Sequence, residues 1–155
     1  MARPFLEADQ ALPLIAKAKS AKSWSGWSCR SNHVSHIIGV AELLDADGIS
    51  IPGLTVELEA KAAIVADTCL YIFSIMKLRG RERVPVYQLE VASRAKRTHN
   101  GLTTIYGPHE HIGSTEPTPI TEASVDCSSW EACLQWFISR TNIVNLTPDN
   151  PFKKP

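Results

Sequence analysis

The sequence predicts an α+β fold: an N-terminal helix, a largely antiparallel meander sheet of about five strands, and a C-terminal amphipathic helix packed on one face of that sheet. Two helical apolar patterns flank a long region, from about residue 33 to residue 113, that is rich in strand and hairpin signals. We expect a single domain over residues 1–145. A flexible tail is expected over residues 146–155, which contain three prolines and two lysines.

The N-terminal helix is predicted from apolar residues at helical spacing. These are Phe5, Leu6, Leu12, Ile15 and Ala18. Pro13 either kinks this helix or starts it in the first turn. The Ser-rich segment that follows indicates a loop, whose Trp24 and Trp27 we expect to cover one end of the core.

Two runs identify the central strands. In the segment 54–61, apolar residues alternate with Thr, Glu and Lys, which is typical of a strand with one buried and one wet face. The segment 69–76, CLYIFSIM, is apolar on both faces and indicates a central strand. Asp47-Gly48 and Asn100-Gly101 are two-residue hairpin signals, since both pairs tolerate the positive φ that such turns need.

The C-terminal helix is predicted from a second apolar stripe, which comprises Trp130, Cys133, Leu134, Phe137 and Ile138. Ser128 and Glu131 match a capping box at its first turn. The four cysteines contain no CxxC pair, so a zinc ribbon is not supported and we expect no disulfide in a protein without an export signal.

Charge and hydropathy restrict the classes of function. The formal net charge is zero, which does not indicate a generally basic nucleic-acid binder. Acidic residues concentrate in 42–67 and basic residues in 77–97, and we expect neighbouring strands to carry this complementary charge. The longest apolar run is far shorter than the roughly 20 residues that span a bilayer. We therefore predict a cytoplasmic protein without a membrane segment.

The segment 106–116, YGPHEHIGSTE, contains the candidate site. A two-residue turn at Asn100-Gly101 would place Glu90 opposite His111 and Arg94 opposite Gly107. Because alternate strand residues face the same side, His109 and His111 should then share the polar face with Glu90 and Arg94. Pro108 cannot donate to a strand ladder, so it could break this pairing, and it places the strand at a sheet edge.

Two chemistries fit such a cluster. His109, His111, Glu90 and Arg94 could supply an acid, a base and a guanidinium for phosphoryl chemistry. His109, His111 and Glu116 could instead bind a divalent transition metal ion, with Glu90, His36 or His99 as other candidate ligands. The plain alternative is that both histidines are solvated strand residues hydrogen-bonded to Glu90 or Glu110.

Two family resemblances were considered. The spacing of His109, His111 and Glu116 resembles the first motif of cupins, but Thr103 stands where that motif has glycine and no second motif follows. The PHEH segment is also similar to small prokaryotic toxin domains, over a few residues only. Neither resemblance assigns a family.

The leading expectation is a small protein of bacterial or phage type that acts as a binding or accessory module. Its partner would be a second copy or another protein, bound through a sheet edge. The motivation is that the sequence contains no phosphate loop, nucleophile elbow or dinucleotide motif. The alternative is a small hydrolase, either a nuclease or a phosphoesterase, that is toxin-like or metal-dependent and uses the His-x-His cluster.

Overall fold

The computed structural model describes residues 5–30, 33–61, 69–100 and 104–152. The elements are α1 (Ala8–Ala16), β1 (Lys19–Lys22), β2 (Ser28–Arg30), β3 (His33–Leu44), β4 (Ser50–Lys61), β5 (Leu70–Arg79), β6 (Glu82–Ala92), β7 (Arg97–Asn100), β8 (Thr104–Tyr106), β9 (His109–Ile112), β10 (Thr118–Pro119), α2 (Trp130–Thr141) and β11 (Ile143–Val144). The α+β class and the two terminal helices are confirmed. Over the described ranges there are eleven strands, more than the five expected.

The main sheet has nine strands and is antiparallel except at one edge. Its order is β10-β9-β6-β5-β4-β3-β1-β11, with β2 also paired to β3, and β11 lies parallel to β1. Strands β3 to β6 form a meander in chain order. Strands β7 and β8 form a separate two-stranded sheet.

Both helices contribute to a core on one face of the main sheet. The alternating residues of β4 point into it, and Leu54, Val56, Leu58 and Ala60 are all buried, as their pattern predicts. From α2, Phe137 packs on Phe73 of β5 and on Tyr87 of β6, at ring-centre distances of 5.5 and 5.9 Å. Burying one such ring stabilises the fold by roughly 2 to 3 kcal/mol.

The tryptophans of the Ser-rich loop cover one end of the core, as expected. Trp27 packs against Trp24 and Trp130, at ring-centre distances of 5.2 and 5.4 Å. The Trp27 indole N–H donates to the carbonyl of Asp149, at 2.8 Å, and Leu146 is buried. Part of the segment predicted as a tail therefore contacts the core.

The cap of α2 lies one residue later than predicted. Ser129, not Ser128, is the N-cap, and its hydroxyl accepts a hydrogen bond from the backbone N–H of Ala132 at 3.1 Å. The residue at the third helical position is therefore Ala132, so Glu131 does not complete a capping box. Glu131 still lies in the first turn, where its negative charge interacts favourably with the helix dipole.

A disulfide bond corrects the expectation of free cysteines. Cys69, at the start of β5, is bonded to Cys127, which precedes α2. The bond closes a loop with a sequence separation of 58, which restricts the unfolded chain and stabilises the fold by roughly 4 kcal/mol. Cys133 is free and buried, and Cys29 is free and exposed. Spacing could not predict this pair, because the two residues meet only through the packing of α2 on the sheet.

An ion pair joins the acidic and the basic segment, but it connects strands that are not neighbours. Arg83 of β6 donates to the hydroxyl of Thr55 at 2.9 Å and lies 3.5 Å from the carboxylate of Glu57, both on β4, and β5 lies between these two strands. Over the described ranges, neither helix is long and apolar enough to cross a membrane.

Candidate functional site

The predicted strand pairing around the histidines is wrong by two residues. The hairpin of β7 and β8 pairs Asn100 with Thr104, so three residues, 101–103, separate the strands instead of the expected two-residue turn. The turn itself lies outside the described residues. Beyond it, His109 lies opposite Glu90 and His111 lies opposite Gln88. A shift of two residues preserves the facing, so both histidines still share a face with Glu90.

Gly107 and Pro108 end the hairpin, as the missing N–H of proline suggested. Gly107 adopts a φ of +78°, and a Cβ there would lie 2.8 Å from the Cα of Arg94, so glycine is required by both conformation and space. After Pro108 the chain leaves β7 and pairs with β6 as β9. Strand β9 is therefore not at the edge of the sheet, because β10 flanks it on the other side.

His109 is buried, contrary to the expectation of a solvated residue, with 1% of its surface exposed. Its Nε2 lies 3.0 Å from a carboxylate oxygen of Glu90. Its Nδ1 lies 3.1 Å from the hydroxyl of Thr98 and 3.2 Å from the carbonyl of Gly107. The Thr98 hydroxyl also donates to that carbonyl at 2.8 Å. Both ring nitrogens of His109 therefore have protein partners.

His111 differs from its neighbour because its ring nitrogens have no hydrogen-bond partner within the described ranges. The half-buried ring packs on Phe5 and His109, at ring-centre distances of 4.8 and 5.0 Å. Burial lowers the pKa of His111 to about 4, and the nearby His109 and His99 act in the same direction while Glu90 opposes them. The ring is therefore neutral at pH 7.

His99 joins the cluster from the hairpin. Its ring centre lies 5.9 Å from that of His111 and 6.2 Å from that of His109. Its Nε2 lies 3.9 Å from a carboxylate oxygen of Glu116, which is in the turn after β9. The exposed half of the cluster therefore comprises His99, His111 and Glu116.

Arg94 lies outside this cluster and has another role. Its guanidinium donates to the carbonyls of Ile120, Glu122 and Val125, at 3.3, 2.6 and 3.1 Å. These bonds hold the segment before α2 against the end of β6. His36 is also separate, since it lies on β3 and contacts Glu59 at 3.0 Å.

Two members of this neighbourhood, Thr98 and Phe5, were not predicted to lie at the site. His99 was named only as another candidate metal ligand, and Phe5 only as part of the N-terminal apolar pattern. Thr98 and His99 reach the site because the hairpin folds back onto β9, and Phe5 arrives from the segment before α1. A third histidine nearby in the sequence, His99, was the one signal that could have indicated that the hairpin contributes to the site.

The opposite face of β9 carries Glu110, which was a candidate partner of the histidines but instead bonds to residues of β6 and α2. Glu110 is 6% exposed, and its carboxylate accepts two hydrogen bonds from Arg140 of α2, at 2.7 and 3.1 Å. The hydroxyl of Tyr87 donates to the same carboxylate at 2.7 Å. Burial raises the pKa of Tyr87, and the nearby Glu110 adds to the effect. This network joins α2 to the sheet.

The predicted metal site was compared with this arrangement. As their side chains stand, the described residues include no group of three or more His, Cys, Asp or Glu that could hold a metal ion. His109, the first predicted ligand, has both nitrogens engaged. His111 and His99 retain nitrogens that no hydrogen bond within the described ranges occupies.

Comparison with known proteins identifies no relative. No protein-family model, no curated protein and no solved structure matches the chain.

Proposed function

We propose that this protein is a binding module, and that its ligand site is the exposed half of the histidine cluster, formed by His99, His111 and Glu116. One observation carries the proposal. The His111 ring is half-buried and neutral at pH 7, and its nitrogens have no hydrogen-bond partner in the described part of the chain. Water reaches these nitrogens, since they are not among the buried polar atoms of the described residues that lack a hydrogen bond, and a ligand can bind by replacing that water.

The surroundings of His111 favour a preformed site. Phe5 and His109 hold the ring from two sides, at 4.8 and 5.0 Å, so it loses little freedom when a ligand binds. His109 is itself held by Glu90 and Thr98. The buried half of the cluster thus supports the exposed half, as second-layer hydrogen bonds do in many binding sites.

A hydrolase, either a nuclease or a phosphoesterase, is the second candidate. The gathering of three imidazoles and two carboxylates favours it, since active sites often bring titratable groups together, and burial lowers the pKa of one of them, His111. Two contacts weigh against the predicted mechanism. Both nitrogens of His109 are engaged, and Arg94 bonds to backbone carbonyls away from the cluster. His109 is therefore not available as an acid or base, and Arg94 is not available as the guanidinium, for a substrate at this cluster.

A partner bound through a sheet edge, including a second copy, remains a proposal with less support. The outer strands of the described sheet, β10 and β11, have two residues each, and β2 has three. Short edge strands limit association between sheets. The cytoplasmic location also stays a prediction. The disulfide between Cys69 and Cys127 weighs against it, because cytosolic thiols are normally kept reduced.

The binding proposal is tested by following the imidazole ¹H–¹⁵N NMR signals during addition of a panel of small hydrogen-bonding fragments. We expect members of the panel to shift the His111 and His99 signals and to leave those of His36 unchanged. His36 is the control, because it lies on β3 outside the cluster and contacts Glu59 at 3.0 Å. No shift at His111, or equal shifts at His36, contradicts the proposal.

The hydrolase candidate needs its own assay. Single-stranded RNA, single-stranded DNA and bis(p-nitrophenyl) phosphate are incubated with wild type and with His111→Ala, with and without chelator. We expect no difference between the two proteins. Cleavage that is lost in His111→Ala would establish the hydrolase in place of the binding module.

A further inference from the structure

We propose that two copies of this chain associate through one end of the main sheet, where the turn between β3 and β4 lies beside the turn between β5 and β6. Strands β3 to β6 form an antiparallel meander, so these two turns lie at the same end of the sheet. Adjacent strands are about 4.8 Å apart, which places the centres of the two turns about 10 Å apart across the sheet. This surface is separate from the histidine cluster, and the inference does not rest on the ligand site proposed there.

An apolar groove lies between the two turns. It has a volume of about 250 Å³ and is lined by Ile51, Leu54 and Leu78, together with polar residues of β3, β4 and β6. Leu78 is 51% exposed, and Ile49, just before β4, is 63% exposed. Apolar side chains that are exposed next to one another are typical of surfaces that bind another protein. A protruding side chain beside a groove also suits a two-fold contact, because the Ile49 of each copy can enter the groove of the other.

The two sides of the groove carry opposite charges. The acidic side consists of Glu42 and Asp47, and both are exposed. The basic turn contains Arg79 and Arg81, also exposed, and the neighbouring Glu82 offsets one of their charges. Within the described ranges, no ion pair involves the two acids of the acidic side or the two arginines of the basic turn. These charges are therefore available to a partner.

A second copy is the partner that this distribution of charge favours. A two-fold axis through the groove sets the acidic side of each copy against the basic turn of the other, so both contacts join unlike charges. Such complementarity also fixes the orientation of the two copies. A nucleic acid fits less well, because the acidic side lies about 10 Å from the arginines, within about one Debye length, and repels phosphates.

The experiment is sedimentation equilibrium of the full chain at concentrations up to about 0.5 mM. All proteins carry Cys29→Ser, which excludes dimers linked through this exposed thiol. We expect a reversible monomer–dimer equilibrium that shifts toward monomer when NaCl is raised from about 0.05 to about 0.5 M. Leu78→Ser should weaken dimerisation about tenfold or more. Leu12→Ser is the matched control, since Leu12 is 53% exposed on α1, and it should leave the equilibrium unchanged.

Charge reversal tests the orientation of the two copies. Glu42→Lys/Asp47→Lys makes both sides of the groove basic, and Arg79→Glu/Arg81→Glu makes both sides acidic. Each variant alone brings like charges together in both contacts, so each should dimerise about tenfold or more weakly than wild type. An equimolar mixture of the two variants restores unlike charges in both contacts and should form a heterodimer. Circular dichroism establishes that each variant is folded.

Three results would overturn the inference. One is a protein that stays monomeric at about 0.5 mM in low salt. Another is equal dimerisation of wild type, Leu78→Ser and the two charge-reversed variants. The third is a mixture of those two variants that associates no more strongly than either variant alone.

Discussion

The polar side chains on the two faces of strand β9 differ in their hydrogen bonding. On the face toward α2, Glu110 is buried and all of its hydrogen bonds come from the protein, from Arg140 and Tyr87. On the other face, His111 is half-buried and has no hydrogen-bond partner in the described ranges. The first arrangement is explained by folding alone, because a buried carboxylate must be paired. The second leaves ring nitrogens open to solvent, and it is therefore where we place the ligand.

His109 lies between these extremes and sharpens the comparison. It shares a face with His111, yet it is as thoroughly bonded as Glu110. Position in a His-x-His motif thus does not decide the role of a histidine. The accessibility of its nitrogens does.

The largest expected effect is the loss of the Glu110 network. Glu110→Ala leaves the buried hydroxyl of Tyr87 without its acceptor, while Arg140, whose side chain is 44% exposed, can bond to water instead, so the free energy of unfolding should fall by about 2 to 4 kcal/mol. Urea denaturation at pH 7 measures it. Glu110→Gln, which keeps the shape and one acceptor, should lose less. A loss below about 1 kcal/mol for Glu110→Ala would mean that this face is not held by the network.

Replacement of His109 should have the next largest effect. His109→Ala leaves a cavity and removes the partners of Glu90 and Thr98, so we expect a loss of about 2 to 3 kcal/mol in urea denaturation. The matched control is His36→Ala, whose side chain is 19% exposed beside Glu59, so that water replaces part of the contact. Equal losses in the two variants would contradict a structural role specific to His109.

Replacement of Arg94 tests a residue that supports the fold but lies outside the histidine cluster. Arg94→Ala removes hydrogen bonds to three carbonyls before α2, and we expect a loss of about 1 to 2 kcal/mol with unchanged ¹H–¹⁵N signals of His111. Arg94→Lys, which keeps the charge but cannot reach three acceptors in the same way, should recover part of the stability. A shift of the His111 signals in either variant would place Arg94 back in the cluster.

Much of the scaffold could be predicted because burial follows local periodicity. The alternation of β4 and the apolar stripe of α2 identified residues that are buried in the structure. The facing of His109 and His111 was also correct, although the register was not, because an error of two residues leaves the parity of a strand unchanged. Their burial could not be predicted, since it depends on where the hairpin of β7 and β8 folds.

The same reason explains the other errors. Arg94, His99 and the Cys69–Cys127 pair have partners that are distant in sequence and are set by the packing of loops on the sheet. A chain that changes its strand partner at Gly107 and Pro108 cannot be followed by counting from a turn. Local rules therefore indicated the candidate strand, and tertiary contacts decided which of its residues are accessible.

The smallest expected effect is the change of folding stability with pH that arises from His111. Its pKa is about 4 in the folded protein against an ordinary value of 6.5, so between these values the unfolded chain binds a proton that the folded protein does not. Stability should therefore fall as the pH decreases from 6.5 toward 4, and should gain nothing from this group above 6.5. Because the ring is only half-buried, solvent screening reduces the effect to about 1 kcal/mol.

His111→Gln removes the titrating group and keeps a polar side chain of similar reach. Urea denaturation of wild type and variant at pH 7 and pH 4.5 gives the change in stability with pH for each. The groups outside the cluster are the same in both proteins, so the difference between the two changes reports His111 together with its charge interactions with His109, His99 and Glu90. We expect the acid loss to be smaller in the variant by about 1 kcal/mol. Identical losses would mean that burial does not hold the ring neutral, and the contrast between the two faces of β9 would lose its electrostatic basis.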